Sequence, residues 1–160
     1  MEASTLAAEL VALFSRDLTR WAQELGAFTS APAVWKTVPG IANPAGTLAL
    51  HVEGNLREYV GRQLGGIASE RDRPLEFSAR DVEPAENVRR LEAVRATVAE
   101  VVGALGPAAM DAPHPEAHEG RRMATRAFLV HLYGHLNYHL GQADYIRRVV
   151  TGDGAIPLAR

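Results

Sequence analysis

The 160-residue sequence contains no cysteine. Its absence excludes disulfide bonds, cysteine-ligated zinc and a thiol nucleophile supplied by the chain itself. A large excess of one charge is also lacking, because 17 Lys and Arg stand against 19 Asp and Glu, for a formal net charge of −2. A protein that binds polyanions would show a strong basic excess, so we expect no nucleic-acid partner.

Long hydrophobic runs are missing as well. A bilayer-spanning helix needs roughly 18 apolar residues in succession, and no stretch approaches this, so no membrane partner is expected. The first twenty residues carry Glu2 and Glu9 and lack the basic and apolar regions of a signal peptide. These features predict a cytoplasmic protein, and the length suits a single domain over 1–160.

Apolar residues recur every three or four positions in four segments, which is typical of amphipathic helices. The helices are predicted over about 6–28, 44–65, 84–105 and 121–150. No convincing strand alternation lies between them. The polar connection between the second and third helices is long, so we expect an all-α fold, a four-helix bundle with a crossover connection at this point. The proline-rich segment 106–120 is predicted to be a loop, with His114 and His118 exposed to solvent.

Three histidines follow one another along the last predicted helix. His131, His135 and His139 are spaced at i, i+4 and i+8, so neighbours lie on one face, one turn apart. We interpret this face as part of the core, at positions where a plain bundle would carry leucine. Buried imidazoles need partners for both ring nitrogens, and a divalent metal ion satisfies several of them together.

The second helix offers a further imidazole. His51 lies at the edge of its apolar arc, and Asn55 follows one turn later at a position where a buried amide would need a partner. A pair from the last helix together with His51 would form a three-histidine site across two helices, with coordination positions left open, as in catalytic centres. The alternative is that His51 is an ordinary core residue and that the bundle binds no metal.

Two motifs support the metal site, namely GTLALHVEGNLREYVG around His51 and HLYGHLNYHLGQADYIRR on the last helix. Together with the order of the four helices, they resemble the DinB-like superfamily of four-helix metalloproteins, which includes the YfiT-type proteins. The resemblance implies that His51, His135 and His139 bind a divalent transition ion, most often zinc or nickel. It leaves His131 outside the ligand set, and it implies a homodimer. By the same mapping, Gln142 would orient the side of the site at His139.

The resemblance also implies a reaction, because several superfamily members join or rearrange small molecules with a low-molecular-weight thiol such as bacillithiol or mycothiol. The leading hypothesis is therefore a metal-dependent transferase that uses such a thiol, with the sulfur supplied by the substrate. Two alternatives stay open: a non-catalytic, stress-related metal-binding protein and a metal-dependent hydrolase. A hydrolase would need a general base, and neither histidine-bearing helix places a carboxylate on the ligand face.

Overall fold

The computed structural model describes residues 5–118, 120–157 and 159, and helices dominate it. In chain order the helices are α1 (Thr5–Gly26), α2 (Ala31–Val34), α3 (Ala45–Leu56), α4 (Arg73–Ser78), α5 (Pro84–Gly103), α6 (Pro107–Asp111) and α7 (Thr125–Thr151). A π-helical segment, Arg57–Arg62, continues α3. Two strands, β1 (Pro113–His118) and β2 (Arg121–Ala124), pair in antiparallel fashion.

The core lies between the four long helices α1, α3, α5 and α7. Helix α1 packs mainly against α5 and α7, while α3 contacts α5, α7 and the short helix α4. Helices α1, α5 and α7 each bury one stripe, whereas α3 is buried on all sides. On α7 the stripe includes Leu129, Leu132, Leu136, Leu140 and Ile146. The all-α bundle predicted from the periodicity is therefore confirmed. Within the described part of the chain, no helix combines the length and the apolar character needed to cross a membrane.

Short elements occupy segments that were predicted to be loops. Helix α2 lies between the first two long helices, and α4 lies in the crossover connection. The last helix begins at Thr125 rather than near Arg121, because 121–124 pair with 113–118 in the small sheet. Gly120, with a φ of 74°, adopts the left-handed conformation between these strands that favours glycine. The expectation of no strand was wrong here, since local periodicity does not report this pairing.

Helix α4 is the short element that matters for the site. Asp72 caps its start by accepting a hydrogen bond from the Leu75 backbone N–H at 2.9 Å. The helix packs closely on α3 at Gly54, where an added Cβ would overlap the Glu76 carboxylate. A glycine in the second helix thus lets the crossover connection bring a charged side chain against α3.

Candidate metal centre

Three imidazoles from two helices converge at the junction of α3 and α7. The Nε2 atom of His135 lies 3.1 Å from Nε2 of His51 and 3.1 Å from Nε2 of His139. One ligand atom from each of the three lies within 4.8 Å of the other two, so this group can hold a metal ion. The structure thus brings together the three residues that the resemblance to the DinB-like superfamily implies as ligands.

Hydrogen bonds orient the two outer histidines. The Nδ1 atom of His51 donates to Glu76 Oε2 at 3.0 Å, and Nδ1 of His139 donates to Gln142 Oε1 at 2.7 Å. Because both acceptors are oxygens, each Nδ1 carries the proton, and the Nε2 lone pairs are left to face His135. The orienting role expected of Gln142 matches this contact.

The charge state of the cluster suits a metal ion. Burial lowers the pKa of His135 to about 4, and the neighbouring His139 and His51 act in the same direction. The pKa of His139 is also lowered, chiefly by burial, which outweighs the opposing effect of the hydrogen bond to Gln142; His51 lowers it further. At neutral pH these rings are uncharged and available as ligands.

The lone pairs cannot all be satisfied within the cluster. His135 Nε2 can carry at most one proton, and it has two Nε2 neighbours, so at least one lone pair finds no donor among the three rings. A divalent ion accepts lone pairs from all three, and neutral imidazole is a common ligand of transition metals. The donor set therefore fits the ion that the sequence motifs imply.

Sequence reasoning missed the carboxylate beside His51. Glu76 of α4 accepts from Arg71 Nε at 2.6 Å and from Arg71 Nη2 at 2.9 Å, in addition to its bond with His51. Burial acts to raise the pKa of Glu76, but these hydrogen bonds outweigh it and the pKa is lowered. Arg71 Nη2 also lies 3.3 Å from His51 Nδ1, farther than the carboxylate does. The pair Asp72-Pro74, a helix-start signal, could have indicated α4.

His131 lies apart from the cluster and is exposed. Its ring centroid is 5.9 Å from that of Phe128, one turn before the three convergent imidazoles. The interpretation that the histidines occupy core positions was wrong, because the leucine stripe of α7 fills the core. His135 and His139 are half-buried at its edge.

His114 was expected to be solvent-exposed, and the structure contradicts this. Its side chain is fully buried and stacks on Phe128, with ring centroids 4.0 Å apart. Its Nε2 donates to the Tyr59 carbonyl at 3.3 Å, and its Nδ1 accepts from the Glu116 backbone N–H at 3.1 Å. Strand β1 thus brings His114 against Tyr59 and Phe128, which are distant from it in the sequence. The side chain of His118 lies outside the described part of the structure.

One cavity adjoins the histidines, and a second cavity lies beside the first. A cavity of about 280 Å³ has His51, Asn55 and His135 in its wall. A second, of about 420 Å³, is lined by polar and charged side chains that include Arg62 and Glu70. The two share Tyr59, Arg71 and Glu116 as wall residues. The polar cavity therefore lies next to the cavity that has His51 and His135 in its wall.

The fold and the cluster define a helical bundle with a three-histidine group able to hold a metal ion. The sequence model of the mycothiol S-transferase family matches residues 9–152, which is most of the chain. The protein therefore belongs to the mycothiol S-transferase family, within the DinB-like superfamily, as the two histidine motifs indicated. No curated protein matches the chain significantly.

Proposed function

We propose that this protein is a metal-dependent S-transferase that joins a low-molecular-weight thiol to an electrophilic small molecule. In this proposal His51, His135 and His139 hold a divalent transition ion. The observation that carries it is the convergence of three imidazoles, two of them with lowered pKa, beside a cavity. Membership of the mycothiol S-transferase family supplies the reaction class.

A divalent ion at this position would lower the pKa of a thiol and thereby supply thiolate, the nucleophilic form, at neutral pH. The chain's own residues prepare the site. Glu76 holds the His51 ring and Gln142 holds the His139 ring, while burial keeps His135 uncharged. The substrate sulfur forms the new S–C bond with its own electron pair, the displaced group of the electrophile leaves with the bonding pair, and the thiol proton passes to solvent.

Mycothiol is the thiol that we propose, and the cavities support this choice. Mycothiol joins a cysteinyl group to a hydroxyl-rich sugar portion. The smaller cavity at the histidines suits the cysteinyl end, and the adjoining polar cavity, with Ser69 and Glu70 in its wall, suits hydroxyl groups. Zinc and nickel are the ions proposed, since imidazole is a good ligand for both.

Two other functions remain as outcomes of the test. A hydrolase needs a free general base, yet both oxygens of Glu76 accept hydrogen bonds from Arg71. A non-catalytic metal-binding protein would have the same three ligands but no turnover.

We also propose that residues 1–160 form a single domain, because the long helices share one hydrophobic core. A cytoplasmic location is proposed because low-molecular-weight thiols are kept reduced there. The homodimer rests on the resemblance to the superfamily. Sedimentation velocity at several protein concentrations would test it.

The experiment begins with elemental analysis of tag-free protein purified without chelators, beside the His135→Ala/His139→Ala double variant. We expect about one transition ion per chain, absent from the variant. The metal-loaded protein should then transfer mycothiol to chlorodinitrobenzene, and the double variant should not, although circular dichroism should show that it remains helical. His51→Ala should weaken metal binding severely.

Each other outcome would indicate a different function for this protein. Absence of any ion, even after zinc or nickel is offered, would overturn the metal site. An ion without turnover would indicate the non-catalytic protein. Ester hydrolysis that needs no thiol would indicate the hydrolase.

A further inference from the structure

An arginine without an acidic partner lines the cavity at the histidines. Arg73 is the first residue of α4, and it forms part of the wall of the 280 Å³ cavity together with His51 and His135. Its guanidinium forms no ion pair with any residue that the structure describes. Arg71 lines the same cavity, but it is ion-paired with Glu76. Arg73 therefore brings to this wall a positive charge that no described carboxylate pairs with.

Aromatic contacts connect this guanidinium to the histidines. The Cζ atom of Arg73 lies 5.5 Å from the centroid of the Phe77 ring, one turn later on α4. The Phe77 ring in turn lies 5.1 Å from the His51 ring, between centroids. An aromatic face attracts a cation without taking any of its N–H donors. The donors of Arg73 are thus available to a ligand in the cavity.

The walls of the two adjoining cavities suggest which reactant Arg73 contacts. The cavities share Tyr59, Arg71 and Glu116, whereas Arg73 belongs to the wall of the smaller cavity and not to that of the polar one. In the function proposed above, the hydroxyl-rich portion of the thiol occupies the polar cavity. Arg73 therefore remains for the second reactant, which is the electrophile.

We propose that Arg73 binds a carboxylate of the electrophilic substrate, so that the protein prefers electrophiles with a carboxylate next to the reacting carbon. This inference rests on the proposed function, since it requires the thiol sulfur to lie at the three histidines. The planar fork of a guanidinium matches a carboxylate, to which it can donate two parallel hydrogen bonds. Three neutral imidazoles also leave the charge of a divalent ion in place, which adds to the attraction of an anion.

Iodoacetate and iodoacetamide are a matched pair of electrophiles for the test. They share the reacting carbon and have nearly the same size, but the first carries a carboxylate and the second a neutral amide. The thiol sulfur bonds to that carbon, iodide leaves with the electron pair of the C–I bond, and the thiol proton passes to solvent. The chain has no cysteine that these reagents could alkylate.

The first measurement is kcat/KM for each reagent, with mycothiol and the metal-loaded protein, divided by the rate constant of the uncatalysed reaction. We expect this ratio to be about tenfold higher for iodoacetate. The products allow the same comparison without turnover. S-Carboxymethyl mycothiol should bind about tenfold more tightly than S-carbamoylmethyl mycothiol by calorimetry. Both preferences should decrease as salt is added, because Arg73 is exposed and its charge is screened.

Three variants assign the preference to a residue. Arg73→Gln removes the charge, and both preferences should fall to near one, with the change in KM for iodoacetate rather than in kcat. Arg73→Lys keeps the charge but loses the planar fork, so it should retain part of the preference. Arg95→Gln is the matched control, because it removes a positive charge from α5, which contributes no residue to the wall of this cavity. It should keep the full preference.

Four results would contradict the inference, and one of them would also contradict the proposed function. A wild-type preference near one, with both reagents turned over, would overturn the inference alone. An unchanged preference in Arg73→Gln would show that another group binds the carboxylate. An equal loss for both reagents in that variant would show that Arg73 acts on the thiol or on the fold. Absence of turnover with either reagent at metal-loaded wild-type protein would contradict the proposed function itself, and the inference with it.

Discussion

Helix α7 contributes to two polar clusters that differ in how their hydrogen bonds are satisfied. On one face, Tyr133 donates to the Asp17 carboxylate of α1 at 2.7 Å. The same carboxylate accepts from Arg16 at 2.7 and 2.9 Å and from Arg20 at 2.9 Å. Asp17 is fully buried, yet both of its oxygens have donors. This cluster, which we call the Asp17 network, is complete without a ligand.

On another face of α7, His135 and His139 meet His51. Here three Nε2 atoms face one another, and they share at most one proton because Nδ1 of His51 and Nδ1 of His139 donate to groups outside the cluster. They are less buried than Asp17 and lie beside a cavity. Burial alone therefore does not distinguish a functional polar group from a structural one. The informative feature is a set of acceptors whose donors are missing from the protein.

The largest effect is expected from removal of the Asp17 carboxylate. Asp17→Ala leaves the Tyr133 hydroxyl and the Arg16 guanidinium without their acceptor, and we expect a loss of about 3 kcal/mol in the free energy of unfolding. Urea denaturation would measure it. Asp17→Asn, which keeps an accepting oxygen, should lose less. Metal content should be unchanged in both folded variants, and loss of metal would mean that the two clusters are coupled.

The next largest effect is expected from substitution of Glu76, which is ion-paired with Arg71 and hydrogen-bonded to His51. Glu76→Gln keeps the size of the side chain but weakens the bond that orients His51, and we expect zinc affinity to fall about 10- to 100-fold. Competition with a chromogenic chelator would measure it. Glu86→Gln is the matched control, because Glu86 pairs with Arg89 and Arg90 away from the site. Equal affinities in the two variants would contradict an orienting role for Glu76.

A smaller effect on stability is expected from the protonation of His114 at acidic pH. Burial lowers the pKa of His114 in the folded protein, whereas in the unfolded chain it is about 6.5. Protons then bind the unfolded chain first, so the stability from His114 is present above about pH 6.5 and is lost as the pH falls through the folded-state pKa.

The measurement is the free energy of unfolding at neutral pH and at about pH 5, for the wild type and for His114→Gln. The wild type should lose more stability on acidification than the variant does. The lowered pKa values of His135 and His139 are common to both proteins, so their contribution cancels in the comparison. Equal losses would show that His114 makes no contribution to the pH dependence.

Helical periodicity was sufficient to predict the four long helices and the all-α fold, because three of these helices bury one regular stripe and the apolar residues of α3 also recur at helical spacing. The histidines of α7 were recognisable for the same reason, since i, i+4 spacing is a local property of a helix. His51 needed the resemblance to a family as well, because nothing local links the second helix to the last. The match of the mycothiol S-transferase family supports that resemblance.

Contacts between distant segments were the part that the sequence did not reveal. Glu76 and Arg71 lie in a polar connection without periodicity, and only the packing of α4 on Gly54 brings them to His51. His114 lies in a proline-rich segment whose pairing with β2 places it on Phe128. In both cases a charged or polar composition suggested exposure, whereas a specific long-range partner made burial favourable.

The smallest effect is expected from substitution of His131, which can be compared with His139 on the same helix. His131 repeats the spacing of His135 and His139 one turn earlier, but it is exposed and outside the group of three histidines that could hold a metal ion. His131→Ala should therefore keep its full metal content by elemental analysis, whereas His139→Ala, equally distant from His135 along the helix, should lose it. Loss of metal from His131→Ala would show that convergence with α3 does not decide which histidines bind the ion.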